Sequence, residues 1–234
     1  MRVYLIRHAQ STNNALADFR DRVVDPDLTP LGYEQIQRLG EWLKHSLEFG
    51  GKPFGFTHLI TSPMLRALLT ANAVAQATGL TLEVTPDVAE GGGMFLEDKH
   101  TGVITGYTGM TRSEILARFP HAQLGHSISE AGWWNPEMGR ESEAHCAMRA
   151  IRVAHSLVHR SVHSPEERVV IVTHGLFMDT LVKALLHQLP APANHLFYTH
   201  YNTGITRFDL REGDELRLHY LNRVDHLPAD KRTW

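Results

Sequence analysis

Disulfides are the first thing this chain cannot supply. Cys146 is its one cysteine among 234 residues, so no internal cross-link is available and a reducing compartment is expected. Long hydrophobic runs are lacking too, the longest falling far short of the roughly 20 residues a membrane-spanning helix needs. Charge is close to balanced, with 23 Lys and Arg against 26 Asp and Glu and a net charge of −3. That excludes the broad basic footprint of a nucleic-acid or membrane-surface binder. Internal repeats and low-complexity segments are missing as well. Met1–Ile6 is too short to be the apolar core of a secretion signal, and a cytoplasmic location is expected.

What is present is an ordinary globular composition, 42% hydrophobic and 21% charged, on a length that suits one domain over 1–234 with an inserted cap. Val3–Ile6 reads as a short buried strand. Thr29-Pro30 opens a helix as N-cap and first helical residue. Ile36, Leu39, Leu43 and Leu47 follow at helical spacing, and Gly50-Gly51 stops them. A strand over Thr57–Thr61, a helix over Met64–Thr78 closed by Gly79, and a strand over Leu80–Val84 come next. Ala89–Arg140 is irregular, Gly-rich and holds Trp133-Trp134; its one short helix carries a capping box, Thr111 with Glu114. A helix over Ser142–Val162 has its apolar stripe at Ala147, Ile151, Ala154, Val158 and Val162. Val169–Thr173 is a strand, Leu176–Leu189 a helix, and Thr203–Leu210 with Leu216–Leu221 a hairpin turning at Glu212-Gly213-Asp214. This alternation predicts an α/β three-layer sandwich: a mainly parallel sheet with helices on both faces, and a cap inserted over about 89–140.

In such sheets ligands bind beyond the carboxyl ends of the strands. Those ends carry Arg7-His8, then Thr61-Ser62-Pro63 with Arg66 in the next turn, then His174-Gly175. Two histidines and two arginines at one edge suit a phosphoryl group. Arginine is a rigid fork of donors, and a helix starting after His174 favours an anion. A neutral imidazole can take up phosphorus covalently, and cationic donors can replace a metal. Glu90, after Thr85-Pro86-Asp87, reaches the same edge as the acid for the leaving oxygen.

Four blocks carry a family resemblance. Arg7-His8-Ala9-Gln10-Ser11-Thr12-Asn13-Asn14 resembles the signature of the histidine phosphatase superfamily, in its phosphoglycerate-mutase-like branch. Leu28–Gln35, Ser62–Ala67 with Thr70-Ala71, and Val172–Gly175 resemble its later blocks, in family order. The resemblance implies His8 as phosphorylated nucleophile, with Arg7, Arg66 and His174 completing the phosphate pocket. It adds contacts from Asn14, Ser11, Gln10 and the Gly175 amide, and Glu90 as general acid and then base. Residue 9 is alanine where the family often has glycine, and Gln10 replaces a frequent glutamate. Gly106-Tyr107-Thr108-Gly109 stands much later than the family's Gly-x-x-Gly block, which keeps Glu97 as a competing acid.

Other features have plainer readings. Gly91-Gly92-Gly93 lacks phosphate-loop spacing and reads as a flexible hinge. At least one of Trp133 and Trp134 belongs to the cap's own core. His155, His159 and His163 lie four apart on a helix without a completing carboxylate or cysteine, and are taken as a solvated face with no metal. Asn222, His226 and Leu227 pack the tail onto the sheet. The expected function is metal-independent hydrolysis of a small phosphorylated substrate, with no cofactor; a second copy of the chain is the protein partner kept open. A mutase on the same scaffold is the alternative, weakened because Gly91–Asp98 contains no Lys or Arg to grip a second anionic group. A non-catalytic phospho-ligand binder is a third reading, set against the retention of His8, Arg66 and His174.

Overall fold

The computed structural model describes residues 1–48, 51–189, 196–211 and 215–234. In chain order the elements are β1 (Arg2–Arg7), α1 (Pro30–His45), β2 (Leu47–Glu48), β3 (Lys52–Pro53), β4 (His58–Thr61), α2 (Leu65–Thr78), β5 (Leu82–Val84), β6 (Phe95–Glu97), β7 (Ile104–Gly106), α3 (Arg112–Arg118), β8 (Gln123–Leu124), α4 (Glu143–His163), β9 (Arg168–Thr173), α5 (Gly175–Leu185), β10 (Ile205–Leu210) and β11 (Leu216–Arg223). Seven strands form one sheet in the order β11-β10-β1-β9-β4-β5-β8. β1, β9, β4, β5 and β8 run parallel. β10 pairs antiparallel with both β1 and β11.

Strand alternation divides the core between the two faces. Tyr4, Ile6, Val170 and Val172 point to one side, where Leu39 and Leu43 of α1 and Leu68, Ala71 and Val74 of α2 pack on them. Val3, Leu5, Val169 and Ile171 point to the other, against Ala150, Ala154 and Leu157 of α4 and Phe177, Leu181 and Val182 of α5. The strands are buried on both sides because helices cover both, so their sequences read as unbroken apolar runs. This is the three-layer α/β arrangement expected from the sequence. No helix among the described residues is long and apolar enough to cross a membrane.

Four expectations need correcting. α1 ends at His45, and Leu47 is exposed in β2, because the chain turns extended to carry Glu48 inward to Arg207 and the Tyr220 hydroxyl. The stripe of α4 holds at Ala154, which is buried, and at Val158, which packs against the core, but is off the buried face at Ile151 and Val162. Ile151 and Val162 are exposed, while Cys146, Ala150, Ala154, Leu157 and Ser161 are buried; a buried charge on that face, Arg149, hides the true pattern. α5 stops at Leu185. The span 89–140 is not wholly separate from the sheet, since β8 extends it by pairing parallel with β5. The turn at 212–214 and Gly50 lie outside the described residues. The capping box of α3 forms, with Thr111 and Glu114 bonded reciprocally.

The tail packs inward. Asn222 accepts from the Tyr201 amide at 2.7 Å, and buried His226 meets the Thr203 hydroxyl at 2.8 Å and the Trp42 ring at 5.6 Å. Burial pushes both His226 and His200 down to about 4 from an ordinary 6.5. The unfolded chain therefore takes up these protons first. The stability they contribute is complete above pH 6.5 and is lost as pH falls toward 4, on the order of 3 kcal/mol for each histidine. Urea midpoints should stay level above pH 7 and fall between 6.5 and 4, less steeply in His226→Gln; a level profile through that window contradicts this.

Candidate active site

Register builds the site. β1 and β9 pair so that Arg7 stands opposite Thr173, and β4 pairs with β9 so that Thr61 stands opposite Val172. The next residues, His8, His174 and Ser62, therefore emerge side by side at one sheet edge. The His8 amide donates to the Thr173 carbonyl at 2.8 Å, and the two imidazole centroids lie 5.0 Å apart. Both rings are buried. Burial and the neighbouring Arg66 hold each of them well below the usual histidine range, so both are neutral.

Hydrogen bonds then fix which nitrogen does what. His8 Nδ1 lies 2.7 Å from the Ala9 carbonyl, which can only accept, so Nδ1 carries the proton. The lone pair is left on Nε2, where Arg66 Nε donates to it at 3.2 Å. The Asn202 amide holds the His8 carbonyl at 2.9 Å, and the Thr70 hydroxyl accepts the Ala9 amide at 3.0 Å. For His174, the Ser62 hydroxyl already accepts from the Met64 amide at 3.2 Å. Its own proton is free for His174 Nε2 at 2.8 Å. With Ser62 as the donor, the ring proton stands on Nδ1, a buried atom with no hydrogen-bond partner among the described residues. Arg7 is in the same state: Nη1 donates to the His200 carbonyl at 2.7 Å, while Nε is buried without a partner. Burial pushes the Arg7 guanidinium down to about 10, still charged at neutral pH. Two buried donors without partners among the described residues, beside one neutral imidazole, have the donor pattern an anion such as a phosphoryl group satisfies.

Glu90 follows β5 and lies against the start of α5. Its Oε1 accepts from the Gly91 amide at 2.9 Å and from the Phe177 amide at 3.0 Å. The first turn of α5, read from sequence as a phosphate site, thus gives one of its amides to Glu90. Its charge is felt by Arg7, Arg66 and Arg22. Arg149, buried on α4, clamps this loop: it donates to the Asp87 carbonyl at 2.9 Å, the Ala89 carbonyl at 2.7 Å and the Glu90 carbonyl at 3.4 Å. The same guanidinium pairs with Glu141 at 2.6 Å and lies over the Phe177 ring at 4.5 Å. Asp25 sits 3.8 Å from Arg66 and accepts from the Leu65 amide at 3.0 Å. It caps α2, whose own N-cap residue, Met64, offers no side chain for the purpose. Burial pushes its carboxyl up to about 6.

The remaining expected residues are placed less uniformly. Ser11 donates its hydroxyl to Asn14 Oδ1 at 2.9 Å, so the two form a unit beside β1. Gly175 packs against Arg7, where a Cβ would lie 3.2 Å from Nε. The Gln10 side chain turns away to accept from the Thr29 hydroxyl at 2.6 Å, at the start of α1. Glu97 is exposed at the end of β6. The glycine run is a packed turn: Gly92 and Gly93 take positive φ of 93° and 72°, and a Cβ on Gly93 would meet the Trp134 ring at 2.2 Å. Trp133 is buried in the core and Trp134 packs beside it. His155, His159 and His163 are exposed. Among the described residues, no group of three or more His, Cys, Asp or Glu is arranged to hold a metal ion. Sequence reasoning missed Ser62 as orienter of His174, Arg149 as clamp, Asp25 and Asn202. Only Ser62 had a usable signal, its place at a strand end.

The family model of the histidine phosphatase superfamily (branch 1) matches residues 3–223. The chain belongs to this superfamily. Among curated relatives of this histidine phosphatase, the probable phosphoglycerate mutase GpmB of Yersinia pestis (strain Pestoides F) is 25% identical over 218 residues, 91% of this chain and 86% of that protein. A mycobacterial glucosyl-3-phosphoglycerate phosphatase solved with VO3 has a TM-score of 0.60 at 23% identity, covering 95% of this chain and 99% of that one. A phosphoserine phosphatase mutant from Entamoeba histolytica, solved with phosphoserine, has a TM-score of 0.57 at 21% identity, with 97% and 99% covered.

The Arg149 clamp predicts a stability result. Arg149→Met leaves Glu141 buried and unpaired, and should cost about 3–5 kcal/mol in urea unfolding. Arg149→Met/Glu141→Gln should recover part of that loss. A single variant as stable as the parent would show that the pair holds nothing.

Proposed function

We propose that this histidine phosphatase family member hydrolyses a small phosphomonoester through a phosphohistidine on His8, without a metal. The observation that carries this reading is the neutral His8 with its lone pair on Nε2, beside Arg7 and His174, whose buried Nε and Nδ1 have no hydrogen-bond partner among the described residues. Nε2 attacks phosphorus, and the bond to the ester oxygen breaks as Glu90 gives that oxygen its proton. Arg7, Arg66 and His174 take the charge on the non-bridging oxygens. Water then attacks phosphorus, Glu90 takes the water's proton, the P–N bond breaks and inorganic phosphate leaves. Ser11, Asn14 and Gly175 support the pocket from the β1 and α5 ends. The Gln10 side chain serves the cap of α1 in this reading.

The mutase alternative draws on the name of the curated relatives. Hydrolysis is favoured because Gly91–Asp98, the stretch after the acid, has no Lys or Arg to hold a second anionic group during transfer back.

An aryl phosphate assay with and without a chelator tests the reading. Turnover should survive the chelator and fall by roughly a thousandfold or more in His8→Ala; abolition by the chelator contradicts the metal-free route. Glu90→Gln should lose roughly 10²–10⁴-fold on an alkyl phosphate and less on an aryl phosphate with a good leaving group. Glu97→Gln should leave that dependence unaltered, and the reverse pattern would reassign the acid.

A further inference from the structure

We infer that Gln35, Thr233 and Asn202 are positioning residues: joined into one hydrogen-bonded brace, they clamp the peptide groups on either side of Ala9 and so fix which nitrogen of His8 keeps its lone pair. The inference deepens the role proposed for His8 and rests on that reading.

A peptide group is planar, so holding one end sets the direction of the other. Three successive peptide groups lead out of β1, and each is held at both ends. In the first, the Arg7 carbonyl accepts from the Thr203 amide at 3.0 Å, and the His8 amide donates to the Thr173 carbonyl at 2.8 Å. In the second, the His8 carbonyl accepts from Asn202 Nδ2 at 2.9 Å, and the Ala9 amide donates to the Thr70 hydroxyl at 3.0 Å. In the third, the Gln10 amide donates to Gln35 Oε1 at 2.9 Å, and the Ala9 carbonyl accepts from His8 Nδ1 at 2.7 Å. Gln35 therefore aims the very carbonyl that keeps the ring proton on Nδ1 and leaves the lone pair on Nε2.

The brace runs unbroken from the third group back to the second, and each direction in it is forced. The Gln10 amide can only donate, so Gln35 presents its oxygen there. Its nitrogen then lies on the other side, donating to the Lys231 carbonyl and the Thr233 hydroxyl, both at 2.9 Å. That hydroxyl has one proton and gives it to Asn202 Oδ1 at 2.9 Å. The nitrogen of Asn202 is left for the His8 carbonyl, which can only accept. The Asn202 backbone amide also donates to the Thr233 carbonyl at 2.8 Å. Gln35 and Asn202 are fully buried, so water cannot replace a link they lose. Thr203, the next residue, is held at a φ of 59°, which is unfavourable for a β-branched side chain and persists only where surrounding contacts impose it. Here its hydroxyl donates to the Asn202 carbonyl at 2.7 Å and meets His226 at 2.8 Å. The strained turn lets one dipeptide hold both the Arg7 and the His8 carbonyl. Trp234 stacks on Tyr201 with ring centroids 3.9 Å apart, which ties the Thr233 segment to the same turn.

Thr233 is only half-buried, so it can be changed without opening the core. Thr233→Val removes the hydroxyl that links the two halves of the brace, and Thr233→Ser keeps it. Two readouts are taken on each: kcat for an aryl phosphate beside the Kd of inorganic phosphate, and the nitrogen NMR shifts of the His8 ring in the resting protein. Thr233→Val should lower kcat about tenfold or more while the phosphate Kd changes less than about threefold, because Arg66 and His174 keep their places. Its His8 ring should move from the Nδ1-protonated tautomer toward a mixture of the two. Thr233→Ser should return both readouts to those of the parent. A smaller loss of kcat, a loss that Thr233→Ser does not restore, a loss of phosphate affinity as large as that of kcat, or an unchanged tautomer overturns the brace. If the parent hydrolyses no ester, the hydrolase reading fails on its own, and the nitrogen shifts alone then decide the brace.

Discussion

The parallel pairing of β1 with β9, in the register that sets Arg7 opposite Thr173, decides where the two imidazoles stand. Slipping it by one residue would turn every side chain of β1 to the other face. Tyr4 and Ile6 would exchange layers with Val3 and Leu5, so two hydrophobic cores hold the register in place. The catalytic geometry is thus tied to the largest free-energy term in the fold. His8 needs no special loop, because it is simply the residue after the strand stops.

Burial makes both histidines neutral, and the same burial strips donors of water. Arg7 Nε and His174 Nδ1 have no partner among the described residues, a condition that costs about 1–3 kcal/mol for each group. That cost makes the pocket ready for an anion: arriving phosphate oxygens meet donors that have already lost their water. The supports lie one layer further out. Ser62 holds His174 by a hydrogen bond, Asp25 stands beside Arg66, and Arg149 pins the carbonyls of Ala89 and Glu90.

Much of this was legible in the sequence because it depends on local chemistry. Apolar runs bounded by turn residues mark the strands; Arg7-His8, Ser62 and His174-Gly175 fall at strand ends, and Arg66 in the first turn of the helix that follows one. Contacts across layers were not legible. Glu48 leaves the apparent line of α1 for Arg207, and Arg149 sits on the face of α4 that an apolar stripe would claim; in both, a buried ion pair overrides periodicity. Gln10 was a contact implied by the family resemblance, yet its side-chain oxygen accepts from the Thr29 hydroxyl at the start of α1. β8 has only two residues, too few for alternation to mark a strand. Ser62 was visible as a position, while its role needed the Met64 amide that fixes its hydroxyl.

The claim that organises all of this is that His8 Nε2 takes the phosphoryl group. Rapid quenching of the protein during turnover, followed by peptide mapping and phosphorus NMR of the modified residue, tests it most directly. The account predicts a single acid-labile phosphohistidine at His8, substituted on Nε2, that disappears as substrate is exhausted. Phosphate found on His174, on His8 Nδ1, or on no residue during steady hydrolysis would contradict it.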